Sequence, residues 1–400
     1  MKYQLFSVFL QKIRYLTAKM NITNHKIIIL GSYTANVLGQ VRSLGERGIH
    51  PYGVLIHRNT FRIDKSKYWA KLYSVDTIEE GLNIVLREFG NEAVKPFLYT
   101  DRDDVMGLLD RKYDELKDKF YFWNAGEQGR LNKYLNKEEQ LKLAEECGLL
   151  IPQTEVVKVG EMPKHLKYPI FTKAKDSLNP FWKGNAFICN NEDDLKKAYS
   201  VMDIKEILLQ EYILKKDERP IEGISLNGGQ DIRLLVKSIN YRLTKDSYGI
   251  FRHLEPFCDT ELEKKVKKYI QKINYTGIFE IEFIIDKNDI AYFLETNFRI
   301  TQYNYGYAKF GVNFPILFAN SVLMGQIDLE EIHYSTIRPF NVMSELEDFR
   351  ISYLHGDVSL WQWLKDIKHT HCFSFFASND KKPFFWTLWE KAKNLIKKRF

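Results

Sequence analysis

Four hundred residues, 44% hydrophobic and 28% charged, with a formal net charge of +7, describe an ordinary globular chain of roughly two to four domains. Disorder, collagen and coiled coil are excluded as the main architecture. The small basic excess argues against a nucleic-acid protein and suits a pocket for a phosphorylated or carboxylate ligand. Cys147, Cys189, Cys258 and Cys372 have no paired spacing, so neither a disulfide framework nor a zinc site is expected, and a cytoplasmic setting is.

In chain order, residues 1–24 mix Leu5, Phe6, Val8, Phe9, Leu10, Ile13 and Leu16 with Lys2, Lys12, Arg14 and Lys19. They read as an amphipathic helix rather than a signal peptide. His25–Leu30 is a continuous apolar run ending at Gly31, the pattern of a buried parallel strand turning into a helix. A helix over Ala35–Glu46, strands at Tyr52–Ile56, Leu72–Val75 and Pro96–Thr100, and a helix from Ile78 complete an open α/β sheet. GxGxxG is absent, so neither NAD nor FAD is expected. Gly31, Ser32, Tyr33, Thr100, Asp101 and Asp103 fall at strand C-termini, where such sheets bind ligands and where ordinary turn and cap residues also stand.

The helix Asn136–Cys147 leads into a β-rich stretch: Pro169–Lys173, Ala186–Cys189, a helix at Glu192–Met202, and Glu206–Tyr212. Strands are predicted at Asp231–Ser238 and Tyr241–Leu243, a helix at Leu262–Lys272, a hairpin of Ile278–Asp286 with Ile290–Asn297, and a helix over Gly306–Met324. Tyr303, Tyr305 and Tyr307 either line a pocket or pack. His369-Thr370-His371-Cys372 reads as a loop, since no second ligand cluster completes a metal site. The basic, aromatic C-terminal helix either covers a core or lies on an anionic membrane.

The hairpin carries the most chemistry. Phe279, Ile281, Phe283 and Ile285 take one face, Glu280 and Glu282 the other, while Glu295 and Asn297 share a face about 6.6 Å apart. A two-residue turn at Lys287-Asn288 sets Glu280 opposite Glu295 and crowds Glu282, Glu295 and Asn297 together. Like charges so placed repel, and an oxygen-only set selects Mg²⁺ or Mn²⁺ carrying a nucleotide.

ExNxR after a strand, a dozen residues beyond the acid of GxxxxE, resembles the ATP-grasp superfamily. The resemblance covers about His25 to Gln326. NFR followed by GVNFP (Gly311–Pro315) is most similar to D-aspartate ligase and carbamoyl-phosphate-synthase-like members. It implies an α/β chain, α+β in its central lobes. An open α/β pre-ATP-grasp domain is expected over 25–132 and the ATP-grasp domain over 133–326, with a small lobe about 151–213 and a large lobe about 214–326. An aromatic, basic extension follows over 327–400.

The same resemblance implies Glu282, Glu295 and Asn297 as metal ligands. YPIFTK resembles the family's YPVIVKP strand, which puts Lys173 on the nucleotide phosphates; Ala174 replaces its proline. Lys183 in NPFWKGN falls in a phosphate-covering loop, and Lys137 also approaches the nucleotide. Glu211, Tyr212 and Ile213 of the hinge strand would meet adenine, and Glu218 the ribose. Arg299, Lys173 and Lys183 would carry the catalytic charge, with Arg252 and His253, between strands, near the acyl group. The expected activity is an ATP- and Mg²⁺-dependent ligase of a carboxylate and an amine, both small molecules, as a homo-oligomer or alone. A non-catalytic ATP-binding protein and a phosphotransferase are the alternatives.

Overall fold

The computed structural model describes residues 22–175, 182–243 and 250–397. The helix expected over residues 1–24 lies outside them except for a 3₁₀ turn at Ile22–Asn24. Strands β1 (Ile27–Ser32), β2 (Tyr52–Ile56), β3 (Lys71–Val75), β4 (Phe97–Tyr99) and β5 (Tyr121–Phe122) form a parallel sheet in the order β3-β2-β1-β4-β5. Helices α1 (Ala35–Gly45), α2 (Ile78–Phe89) and α3 (Asp103–Arg111) flank it. Because β1 is covered on both faces, its apolar run is unbroken, with Ile28, Ile29 and Leu30 fully buried. The strand order reverses around β1. Ser32 and Asp101 therefore flank the crevice that such a sheet offers to a ligand.

Helix α4 (Lys137–Glu146) starts at the N-cap Asn136, whose side chain accepts from the amides of Glu138 and Glu139. It precedes a four-stranded antiparallel sheet of β6 (Thr154–Lys158), β7 (Ile170–Lys173), β8 (Ile188–Cys189) and β9 (Glu206–Glu211), ordered β6-β9-β7-β8. Helix α5 (Glu192–Ser200) packs Leu195, Ala198 and Tyr199 on this sheet, giving it a core of its own.

The third sheet has seven strands. It comprises β10 (Lys215–Leu226), β11 (Asp231–Asn240), β12 (Phe251–Pro256), β13 (Gly277–Asp286), β14 (Ala291–Asn297), β15 (Phe340–Met343) and β16 (Cys372–Phe373). Their order is β14-β13-β10-β11-β12-β15-β16. Helices α6 (Thr260–Ile273), α7 (Asn304–Phe310) and α8 (Phe314–Met324) pack around it, followed by α9 (Leu360–Lys368) and α10 (Lys382–Lys397).

Two sequence expectations are corrected here, and two features were not foreseen. Strand β10 was not expected, because its charged, proline-containing sequence KKDERPIEGISL hides an alternation whose polar face is also buried. Tyr241–Leu243 is not a strand; its place is taken by β12, so Arg252 and His253 lie within a strand rather than between strands. The helix over Gly306–Met324 is two helices. Gly311 divides them at φ +115, where a Cβ would stand 1.9 Å from the carbonyl oxygen of His333. Finally, within residues 327–400 lie β15 and β16, which extend the large sheet.

The extension is also fixed to the first sheet's layer. Arg42 of α1, fully buried, donates to Asp380 Oδ2 at 3.1 Å, to the Asp380 carbonyl at 2.9 Å and to the Phe375 carbonyl at 2.8 Å. Arg42→Met would leave Asp380 as an uncompensated buried charge. A loss of about 3–5 kcal/mol is expected in urea unfolding; a loss under about 1 kcal/mol would show that the contact is not buried in solution.

Candidate functional site

The hairpin turn differs from the two-residue form. The Asp286 amide donates to the Ile290 carbonyl, which closes a loop of Lys287, Asn288 and Asp289, with Asp289 at φ +62. An odd loop alone would send the acids of the two strands to opposite faces. A bulge restores them: Phe283 pairs with Phe293 and Glu282 with Glu295, leaving Leu294 as the extra residue. Glu282 thus opposes Glu295, and Glu280 opposes Asn297, two places from the expected register. The bulged Leu294 carbonyl accepts from Lys173 Nζ at 3.3 Å. Gln140 of α4 accepts from the Thr296 amide at 2.7 Å and donates to its carbonyl at 3.1 Å, so a side chain completes the sheet edge between Glu295 and Asn297.

Across β10, β13 and β14 the face reads in rows. Glu222, Glu280 and Asn297 form one, Pro220, Glu282 and Glu295 the next, and Glu218, Ile284 and Tyr292 a third. Lys137 Nζ and Lys173 Nζ both stand 2.8 Å from Glu295 Oε2, with 7% and 10% of their side chains exposed. Burial opposes the charge on Glu295, but the two ammoniums outweigh it and hold the carboxyl far below the usual carboxylate range. Glu282 goes the other way: removal from water, then Glu295, Glu280 and Glu218, push it well up. Burial and Glu280 do the same to Glu222. Thr301 Oγ1 lies 3.1 Å from Glu222 and 2.9 Å from Glu280, and its one proton cannot serve both carboxylates.

The first sheet reaches this face through α3. Asp103, in the first turn of α3, accepts from Arg299 Nε at 2.8 Å and Nη2 at 3.0 Å. Arg299 also donates to Asn297 Oδ1 at 3.3 Å, and Asn297 Nδ2 donates to Glu280 and Glu282 at 3.1 and 3.0 Å. Asp101 accepts from the Ser32 amide and the Thr34 hydroxyl, and Gly31 makes room for it, since a Cβ there would be 2.6 Å from Asp101 Oδ1.

Of the residues singled out from sequence, Lys137, Lys173, Glu282, Glu295, Asn297 and Arg299 converge in one cluster. Glu218 lies at its margin, bonded to Lys215 at 2.7 Å and facing Arg252 at 3.8 Å. The hinge strand β9 ends at Glu211, near enough to add to the burial that raises Tyr292, and the Tyr212 amide bonds the Pro169 carbonyl. Ile213 continues that segment. Lys183 belongs to the 3₁₀ turn Trp182–Asn185, but its side chain, like residues 176–181, lies outside the described residues. Tyr303, Tyr305 and Tyr307 are buried packing residues, Tyr303 beneath the Arg252 guanidinium and Tyr305 bonded to Glu46. The Asn341 amide donates to His371 Nδ1, a structural use of the C-terminal histidines.

Sequence reading missed Thr301 and Gln140 and the roles of Asp103 and of Glu222, which it weighed with Asp217 only as an alternative to Glu218 for the ribose. Thr301 continues the two-residue spacing of Glu295, Asn297 and Arg299, a usable signal; Gln140 left none. The donor set is oxygen-only and overloaded with negative charge, which suits Mg²⁺ or Mn²⁺. Lysines engage Glu295 as it stands, and among the described residues no three His, Cys, Asp or Glu are gathered to hold an ion. The chemistry of the donors fits a cation; ion pairs fix the arrangement seen here.

No protein-family model matches the chain. It is 22% identical over 303 residues to D-aspartate ligase of Enterococcus faecium (strain Aus0004), covering 68% of this chain and 70% of that enzyme. N5-carboxyaminoimidazole synthetase from Staphylococcus aureus superposes with a TM-score of 0.62 at 15% identity, over 83% of this chain and 86% of that one. L-amino acid ligase from Bacillus licheniformis superposes at 0.58 and 15% identity, over 75% and 74%. The chain shares the fold of these solved structures, the ATP-grasp fold.

Glu282 titrates upward in the fold, so its contribution to stability is present below the unfolded value of about 4.5 and is lost as pH rises toward the raised folded value. Glu282→Gln, uncharged at every pH, is therefore expected to gain stability on wild type as pH rises from 4.5 to 8 in chelator. Urea unfolding across that range checks this, and a constant difference between the two proteins would remove the electrostatic reading.

Proposed function

We propose that this chain is an ATP- and Mg²⁺-dependent, ADP-forming ligase that activates a carboxylate as an acyl phosphate and joins it to an amine. One observation carries the reading: a buried face where Glu282 opposes Glu295 while Lys137 and Lys173 converge on a single oxygen. The likeness to D-aspartate ligase and L-amino acid ligase supports amino acids as the substrate class. ATP lies between the four-stranded sheet and the acid face, with adenine against Glu211, Tyr212 and Ile213 and the ribose at Glu218. Glu282, Glu295 and Asn297 would hold the metal, which supplies positive charge to the phosphates.

Lys137, Lys173 and Lys183 orient the triphosphate. A carboxylate oxygen attacks the γ-phosphorus and the bond to ADP breaks. Arg299, locked by Asp103, stands where it neutralises the acyl phosphate. The amine then attacks the acyl carbon, phosphate leaves with the bonding pair, and the amine's proton passes to solvent. Positioning and charge do most of such chemistry. No nucleic acid enters the reaction. A cytoplasmic location is part of the proposal, supported by four free cysteines. Among the described residues no helix is long and apolar enough to cross a membrane. A homo-oligomer is proposed on the sequence expectation alone.

Incubation with ATP, Mg²⁺ and mixed amino acids is expected to release ADP and phosphate together with an amide product seen by mass spectrometry. ATP binding without turnover would favour a regulatory protein, and a stable phosphorylated product a phosphotransferase. Glu295→Gln is expected to lower turnover by about 10²–10³-fold with an unchanged fold by circular dichroism. Asp103→Asn, which frees Arg299, is expected to lower kcat about tenfold while KM for ATP holds; a rise in that KM alone would move Arg299 away from the acyl group.

A further inference from the structure

Helix α10 has a docked face and an outer face. Pro383 and Thr387 are buried, the Arg62 amide donates to Thr387 Oγ1 at 2.8 Å, the Arg62 guanidinium donates to Glu390 at 2.8 Å, and Lys391 stands 4.9 Å over the Phe61 ring. On the other side Phe385, Trp389 and Ile396 are 57%, 58% and 59% exposed, with Leu388 beside them, while the Trp386 ring stands at the margin against Arg62 and Lys65. Apolar area of this kind left in water is unfavourable. Helix α9 repeats the pattern with Leu360, Trp361 and Leu364 exposed among Lys365 and Lys368. Both helices adjoin the turn at Phe349–Tyr353: the Phe349 ring meets Trp363 at 5.1 Å, and the Arg350 charge reaches Lys391. Among the described residues, Trp361, Trp386 and Trp389 are the exposed tryptophans.

Charge decides what covers this surface. Residues 381–400 carry seven Lys and Arg against the single acid Glu390, which is most of the chain's net +7. A second copy would bring the same charge against itself, and so would the chain's own residues 1–20, which hold four basic residues and no acid. Indole rings amid lysines are the composition of a helix lying in the headgroup layer, with stems and rings buried and ammonium groups on lipid phosphates.

We propose that the outer face of α10, with α9 beside it, rests on an anionic lipid surface. The full-length protein is tested by co-sedimentation with vesicles of phosphatidylcholine, with and without about one-third phosphatidylglycerol. Binding to the anionic vesicles alone, lost at high salt and accompanied by a blue shift of tryptophan emission, is expected. The double variant Phe385→Ser/Trp389→Ser and the single variant Lys382→Glu are each expected to weaken partition by more than about tenfold. Both should keep the wild-type melting temperature, because these side chains lie on the outer face. No binding to anionic vesicles overturns the proposal. So does binding that the variants leave unchanged, or a dimer in sedimentation velocity that the double variant dissolves without any vesicle binding.

Discussion

Glutamates placed directly across an antiparallel pair repel, and Glu282 and Glu295 are so placed on a face largely withdrawn from water. Everything around them answers that repulsion. Lys137 comes from the start of a helix and Lys173 from the end of a strand in another sheet, and both spend their charge on the same oxygen. Glu295 is thereby held ionised, while Glu282, left without a lysine of its own, resists ionisation. Positive charge is thus in short supply beside Glu282.

The three sheets meet at this point through backbone devices as well as charges. The bulge at Leu294 corrects the parity of the hairpin and turns a carbonyl toward Lys173. Gln140 finishes an edge strand that would otherwise offer its amides to another chain. Asp103 brings the crevice of the parallel sheet to Arg299, so a substrate held at Ser32 and Asp101 would lie beside the acid face. Distances of 2.7–3.3 Å among these groups leave little freedom in where the reacting atoms stand.

The C-terminal residues serve two ends with opposite faces of the same segment. Asp380 and Thr387 are tied inward by Arg42 and Arg62, and two short strands extend the large sheet. Once docked, α10 has nowhere among the described residues to bury its remaining aromatic side chains. The fold thus accepts a cost in water that a lipid surface would remove.

Much of this was legible without coordinates. The unbroken run of Ile27 to Leu30, the alternation through Phe279 to Ile285 and the motif Glu295, Asn297, Arg299 follow from local rules: two-residue periodicity and burial on one side or both. They fixed the class of fold and most of the cationic and anionic side chains of the site. What escaped was non-local. Strand β10 went unassigned because its polar face is buried against polar partners such as Glu280 of β13 and Thr301, and a sequence pattern assumes that polar means exposed. The register slipped by two because the turn has three residues, which moves it by one, and the bulge moves it by one more, fixed by Lys173, Gln140 and the Leu150 carbonyl, all remote in sequence. Residue type and spacing determined which charges this protein carries; only long-range packing decided which of them face one another, because electrostatic energy depends on distance in space and the chain records only distance along itself.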